Sequence, residues 1–282
     1  PLLFVSHLCS YPLKYVTEFK RSSNRDQNVI HSYAFSDVIN VKTENKLTST
    51  VHIIAGASKG IGRALVEKAG KAGQEIFAIS RSTPKVPSEH GQWIKGDVAH
   101  PEDFIDQFPP AVNCVTFCPG KVILGPIKRL KAEQMEEAYR TNVLDAFKLI
   151  QSILPRLTQN ENGSIVFISS VAASTGLPNH CAISAAKSAL EGFSVALAAD
   201  LAPKVRVNVV APTLTPTEMG LAMVGGEKMI PMIEERHPLK KLPRIDEIAA
   251  TISFLHSTDA SSITGQVLKV DSGLSSLRLN DR

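Results

Sequence analysis

The chain has 282 residues, 43% apolar and 21% charged, which is ordinary for a globular protein and admits one large domain with an appendage or two small domains. Its 31 Lys and Arg against 27 Asp and Glu give a formal charge of +4 without blocks of one sign, which argues against a dedicated nucleic-acid surface. No apolar run reaches the ~18 residues of a membrane span, and Cys9, Cys114, Cys118 and Cys181 form neither a disulfide framework nor a CxxC metal site, so a reducing compartment and no metal are expected.

Residues 1–50 read as an N-terminal extension. They mix serines and charges of both signs and show no sustained helical or strand period. The opening LLFVSHLCSYPL is apolar but broken by His7, Ser10 and Pro12. The chain begins at Pro1, as a processed organelle precursor would. Four acidic residues within the segment make it a poor transit peptide, so we read it as a mature extension that needs a surface to pack on. The expected location is a mitochondrion or plastid, with the cytoplasm as the alternative.

From Val51 the pattern becomes regular. Strand-like runs VHIIA (51–55), EIFAIS (75–80), QWIKG (92–96), VNCVTF (112–117), SIVFIS (164–169), VRVNVV (205–210) and QVLKV (266–270) alternate with amphipathic stretches at 61–72, 133–154, 184–201 and 246–256. Short apolar runs without polar alternation are strands buried on both faces, which a parallel sheet covered by helices provides. The expected fold is therefore an α/β doubly wound parallel sheet of Rossmann type, with helices on both sides.

The first strand runs into Gly56-Ala57-Ser58-Lys59-Gly60-Ile61-Gly62 and then a helix. Glycines at a strand end that open a helix suit a pyrophosphate. One allows the turn, the next admits the phosphate to the backbone, and the third lets helix and strand approach. The helix N-terminus adds free N–H groups and partial positive charge. After the second strand stands Arg81, where an acidic residue would grip a ribose 2′-hydroxyl, and Lys59 lies in the turn. Each alone reads equally as a solvated surface charge; together they favour the 2′-phosphate of NADP(H).

These residues resemble the short-chain dehydrogenase/reductase family. The resemblance rests on Gly56-x-x-x-Gly60-Ile61-Gly62, Gly96-Asp97-Val98, Thr141-Asn142-Val143, Ile168-Ser169-Ser170, Val207 to Pro212, and Val270-Asp271-Ser272-Gly273. It covers about 51–274, leaving 275–282 as a tail, and implies a three-layer αβα domain. It assigns cofactor contacts to Gly56, Ser58, Lys59, Gly60, Ile61, Gly62, Arg81, Gly120 and Pro212. Asp97 and Val98 would meet the adenine, Lys187 the ribose, and Thr215 and Thr217 the carboxamide and phosphates. Asn142, Ser170 and Lys187 match the family's catalytic positions. Such proteins form oligomers through the fourth and fifth helices, so a homo-oligomer is expected.

The resemblance fails where the chemistry needs a tyrosine. Four residues before Lys187 stands Ile183, in Cys181-Ala182-Ile183-Ser184-Ala185-Ala186-Lys187. The family's lysine lowers the pKa of a phenol that then transfers a proton; isoleucine has none to give. Tyr139 reads as structural, Ser184 as a helix cap, and Cys181 lacks a partner to stabilise a thiolate. His180 reads either as a loop histidine bonded to backbone or as a substitute acid. Cys118-Pro119-Gly120 replaces the family's Asn-Ala-Gly, which is expected to loosen the floor of the site. Pro212-Thr213 replaces Pro-Gly, bringing a Cβ toward the nicotinamide.

Residues 217–238 fall where the family has its substrate lid. They hold Met219, Met223, Met229 and Met232, with Gly225-Gly226 as a hinge. Adaptable thioethers suit an apolar ligand, and packing into an interface or the core is an equal reading. Two readings of function follow. One is an NADP(H)-dependent reductase of a small apolar carbonyl compound, with Ser170 holding the oxygen and Lys187 with water, or His180, giving the proton. The other is an inactive cofactor-binding subunit of a larger organellar assembly, docked through residues 1–50.

Overall fold

The computed structural model describes residues 49–82, 89–159 and 162–279. The extension through residue 48, with the docking role read into it, and residues 280–282 of the tail lie outside the described residues.

Seven parallel strands form one sheet in the order β3-β2-β1-β4-β5-β6-β7. They are β1 (Val51–Ala55), β2 (Glu75–Ser80), β3 (Gln92–Lys95), β4 (Cys114–Phe117), β5 (Gly163–Ile168), β6 (Val205–Pro212) and β7 (Val267–Val270). The helices are α1 (Gly60–Lys71), α2 (Ala132–Tyr139), α3 (Asp145–Leu157), α4 (Cys181–Leu201), α5 (Glu218–Val224), α6 (Ile230–Glu234) and α7 (Ile245–His256).

The unbroken apolar runs have the cause expected. Successive residues of a strand point to opposite faces, and both faces are dry. Ile53 enters a core with Phe117, Leu149, Ile153, Phe167 and Leu190 on the α3–α4 side. Its neighbour Ile54 enters a second core with Leu65, Val66, Ile248 and Ile252 on the α1–α7 side. Each such side chain contributes about 1.5–3 kcal/mol by leaving water. Because the strand order reverses between β1 and β4, a crevice opens at the carboxyl ends of the strands, where ligands of such sheets bind.

Two elements differ from the expectation. The stretch 133–154 is not one regular helix: α2 and α3 are joined by a π-helical turn, Arg140–Leu144. The widened turn is held by Asn142, whose Nδ2 donates to Ala138 O at 2.9 Å and to Lys121 O at 3.0 Å. The second difference is α4, whose 21 residues are long and apolar enough, by length and composition, to cross a membrane. Its apolar faces have other work: α4 packs against β6 and α2 as a layer of the domain.

Candidate active site

The crevice is built where β1, β4, β5 and β6 deliver their carboxyl ends. After β1 the chain turns at Gly56 (φ +74°), whose N–H donates to Ile79 O at 3.0 Å. A side chain there would meet Pro119 and Cys118 backbone at 3.0–3.2 Å. At Gly62 a Cβ would lie 2.4 Å from Gly56 O, so only glycine lets α1 approach the strand this closely. The N-terminus of the 12-residue α1 opens over this turn, with no side-chain cap on its N–H groups. That cradle fits a pyrophosphate.

Other predicted cofactor residues ring the crevice. Val98 is buried, and Asp97 turns its carboxylate to Ala99 N at 3.1 Å. Thr217 caps α5 by accepting from Gly220 N at 3.0 Å, and its methyl faces Gly60. Thr215 Oγ1 donates to Thr213 O at 3.1 Å. Arg81 is exposed just past β2 and makes no ion pair among the described residues. Lys59 instead pairs with Glu218 of α5 at 2.7 Å, both exposed. An exposed pair is worth little, so an incoming phosphate can displace it.

At the centre, the π-helical turn, the end of β5 and α4 supply the three predicted residues Asn142, Ser170 and Lys187. Lys187 is 7% exposed and its Nζ donates to Ile168 O at 2.6 Å. Burial lowers its pKa from 10.5 to about 8. Asn142 is fully buried, and among the described residues its Oδ1 has no hydrogen-bond partner. A Cβ built on Gly120 would be 2.7 Å from that oxygen and 3.4 Å from Lys187 Nζ. Amide oxygen and ammonium thus converge on the space that Gly120 leaves open. Ser170 Oγ accepts from Ala172 N at 3.2 Å, which leaves its hydrogen free to donate.

Three comparisons fix what this arrangement belongs to. A family model described as enoyl-(acyl carrier protein) reductase matches residues 56–275.

The chain belongs to the short-chain dehydrogenase/reductase family.

It is 30% identical over 244 residues to the 3-oxoacyl-[acyl-carrier-protein] reductase FabG of Buchnera aphidicola, covering 81% of this chain and 98% of that one. Ligand-free aldohexose dehydrogenase from Thermoplasma acidophilum superposes with a TM-score of 0.77 at 27% identity, over 83% of this chain and 97% of that chain. A variant of ElxO carrying phenylalanine for a tyrosine, with NADPH bound, gives a TM-score of 0.74 at 25% identity over 81% of this chain and all of that one. This family member is an oxidoreductase by kinship.

The chain's departures can now be placed. Ile183 is buried, 3% exposed, one helical turn before Lys187. Tyr139 does not replace the phenol: it is 44% exposed on α2, along an outer groove with Met135, Ala182, Ala185 and Ala189. His180 is the N-cap residue of α4, and its Nδ1 donates to Pro178 O at 2.6 Å. Among the described residues it makes no hydrogen bond with Asn142, Ser170 or Lys187. Ser184 is the first-turn residue expected, but the capping position belongs to His180. The helix already starts at Cys181, so Ser184 lies inside the first turn and gives its N–H to His180 O.

At Cys118, where the family's asparagine amide is missing, the main chain keeps its place at the end of β4. Its N–H still donates to Ala55 O at 3.1 Å, and Pro119 packs on Gly56; burial pushes its thiol up to about 12, so it stays neutral. Thr213 is buried with its hydroxyl bonded to His237 Nε2 at 3.1 Å, while His237 Nδ1 donates to Ile233 O at 2.9 Å. This pair ties His237, near the end of the segment 217–238, back to the end of β6, and nothing in the sequence pattern pointed to it. Met219, Met223 and Met232 are all exposed, which rules out core packing for them. Both lid glycines have positive φ.

Proposed function

We propose that the protein is an NADP(H)-dependent reductase of a small apolar carbonyl compound, in which Lys187, acting through water, replaces the missing tyrosine as proton source. The observation that carries this reading is the convergence of Lys187 Nζ and the unpaired Asn142 Oδ1 in front of Gly120. A buried acceptor without a partner is costly and calls for a water.

When bound, NADPH supplies hydride to the carbonyl carbon. Gly56, Gly60, Gly62 and the α1 N-terminus would hold its phosphates, with Arg81 and Lys59 at the 2′-phosphate. The bound NADPH of the ElxO variant supports the phosphorylated cofactor. Ser170 donates its free hydrogen to the substrate oxygen. The Lys187 ammonium, with a pKa near 8, is acidic enough to release a proton near neutral pH. A water that accepts from the Lys187 ammonium and donates to Asn142 Oδ1 takes up the lysine's proton and passes one of its own to the substrate oxygen, completing the alcohol, and solvent restores the ammonium. The exposed lid methionines suit an apolar substrate.

The test is NADPH oxidation across a panel of aldehydes, ketones and enones, beside NADH. The expected result is turnover with NADPH preferred, and a rate that falls as pH rises through about 8, because the charged lysine is the acid. Lys187→Met should lower the rate by about 10²–10⁴-fold. No turnover anywhere in the panel, or a rate indifferent to pH and to Lys187→Met, refutes the reading.

A further inference from the structure

Beneath Lys187 lies a second ionisable group that the proposed chemistry does not use. Glu191 follows Lys187 by four residues on α4, so the two side chains share one face of the helix. Its Oε1 accepts from Ser169 Oγ at 2.6 Å. Ser169 is the residue between Ile168, whose carbonyl holds Lys187 Nζ at 2.6 Å, and Ser170, which the proposed reaction uses to hold the substrate oxygen. Ser169 is also pinned from the other side, donating its N–H to Val210 O at 2.8 Å. Glu191 therefore grips the one residue that joins the lysine's anchor to the substrate-holding serine.

The charges around Lys187 make that grip matter. The groups facing it are Cys118 from the end of β4 and Glu191 on its own helix. The Cys118 thiol is held neutral by burial, and Ile183 carries no charge. Among the described residues Glu191 is the remaining source of negative charge facing Lys187. It also faces Lys269 on β7, and burial raises its pKa.

We propose that Glu191 is a positioning residue for the Lys187 ammonium, clamping the end of β5 through Ser169 and supplying the negative charge that a pocket without tyrosine otherwise lacks. The assignment rests on the reading of Lys187 as proton source, and it can be tested without turnover. In the full chain labelled with [13Cε]lysine, Lys187→Arg identifies the Lys187 signal, whose titration is followed directly.

Glu191→Gln, nearly isosteric but neutral, should lower the Lys187 midpoint by about one pH unit, since loss of a nearby opposite charge destabilises the ammonium. Ser169→Ala, which keeps the charge and releases the clamp, should lower it by less. An unchanged midpoint in Glu191→Gln overturns the proposal, and an unchanged midpoint in Ser169→Ala overturns the clamp. A measurement on the native sequence decides the matter if a variant fails to fold. The Glu191 13Cδ shift should carry an inflection at the Lys187 midpoint, and its absence overturns the coupling. A protein that reduces no carbonyl compound yet shows the Lys187 shift refutes the proposed reaction and leaves Glu191's role intact.

Discussion

Ile183 is a buried hydrocarbon side chain one helical turn before a buried ammonium, and the consequence is specific to that pair. Restoring a phenol at this position puts an acid one helical turn from Lys187, whose charge stabilises phenolate and lowers its pKa. Ile183→Tyr is expected to raise NADPH-dependent carbonyl reduction by about 10²-fold, the lower end of what a positioned acid supplies. Steady-state rates of the two proteins with the same aldehyde check it; an unchanged or lower rate in a folded variant shows that the pocket cannot use a phenol. This lesion was legible in the sequence because Ile183 and Lys187 are four residues apart in one helix, and their spacing carries the geometry. The orphaned Asn142 oxygen and the Ser169–Glu191 bond were not legible. Each depends on partners some twenty residues apart in the chain, and only packing brings them together.

At the scale of elements, the turn between β1 and α1 shows how closely cofactor binding is tied to backbone contact. A methyl on Gly62 would press on Gly56 O at 2.4 Å and on Gly56 C at 3.0 Å. Both are backbone atoms of the phosphate turn, so relief requires moving that turn. Gly62→Ala should weaken NADPH binding at least ~10-fold and lower the unfolding temperature, as read by fluorescence titration and calorimetry. Overpacking of this kind typically costs about 1–3 kcal/mol. Gly192→Ala is the matched control. It lies exposed within α4 with nothing within 4 Å of its added methyl, so it should stabilise by about 0.5–1 kcal/mol and leave binding alone. Contiguous motifs such as this turn, and strands buried on both faces, could be read from residue order. The π-helical turn at Arg140–Leu144 could not, because its cause is a tertiary bond from Asn142 to Lys121 O.

At the scale of the molecule, a buried polar chain ties the sheet to α7. Gln74 Oε1 lies 3.0 Å from His52 Nδ1, His52 Nε2 is 2.8 Å from Thr116 Oγ1, Thr116 Oγ1 is 2.8 Å from His256 Nε2, and His256 Nδ1 is 2.9 Å from Ser164 Oγ. The two imidazoles meet edge to face at 4.7 Å. Its members come from β1, β4, β5, α7 and the loop before β2, so no local pattern announced it. Burial lowers the His52 pKa to about 4, and burial together with the neighbouring His52 and Arg206 holds His256 well below its usual value. Both are neutral in the fold, while an unfolded histidine binds a proton near pH 6.5. The unfolded state therefore takes up more protons as the solution acidifies. This stabilisation is complete above pH 6.5 and is lost progressively as pH falls toward 4. For His52 alone the loss between pH 7.5 and pH 5 is about 2 kcal/mol. Buried carboxyls with raised pKa, Glu191 and Asp145, contribute with the opposite sign. They are common to parent and variant and cancel in a comparison. Urea unfolding of the parent and of His52→Gln at the two pH values isolates the histidine. The variant should be less stable at pH 7.5, yet lose about 2 kcal/mol less than the parent on acidification. Equal losses in the two proteins would mean that His52 is already charged in the fold or is hydrated there, contrary to its complete enclosure.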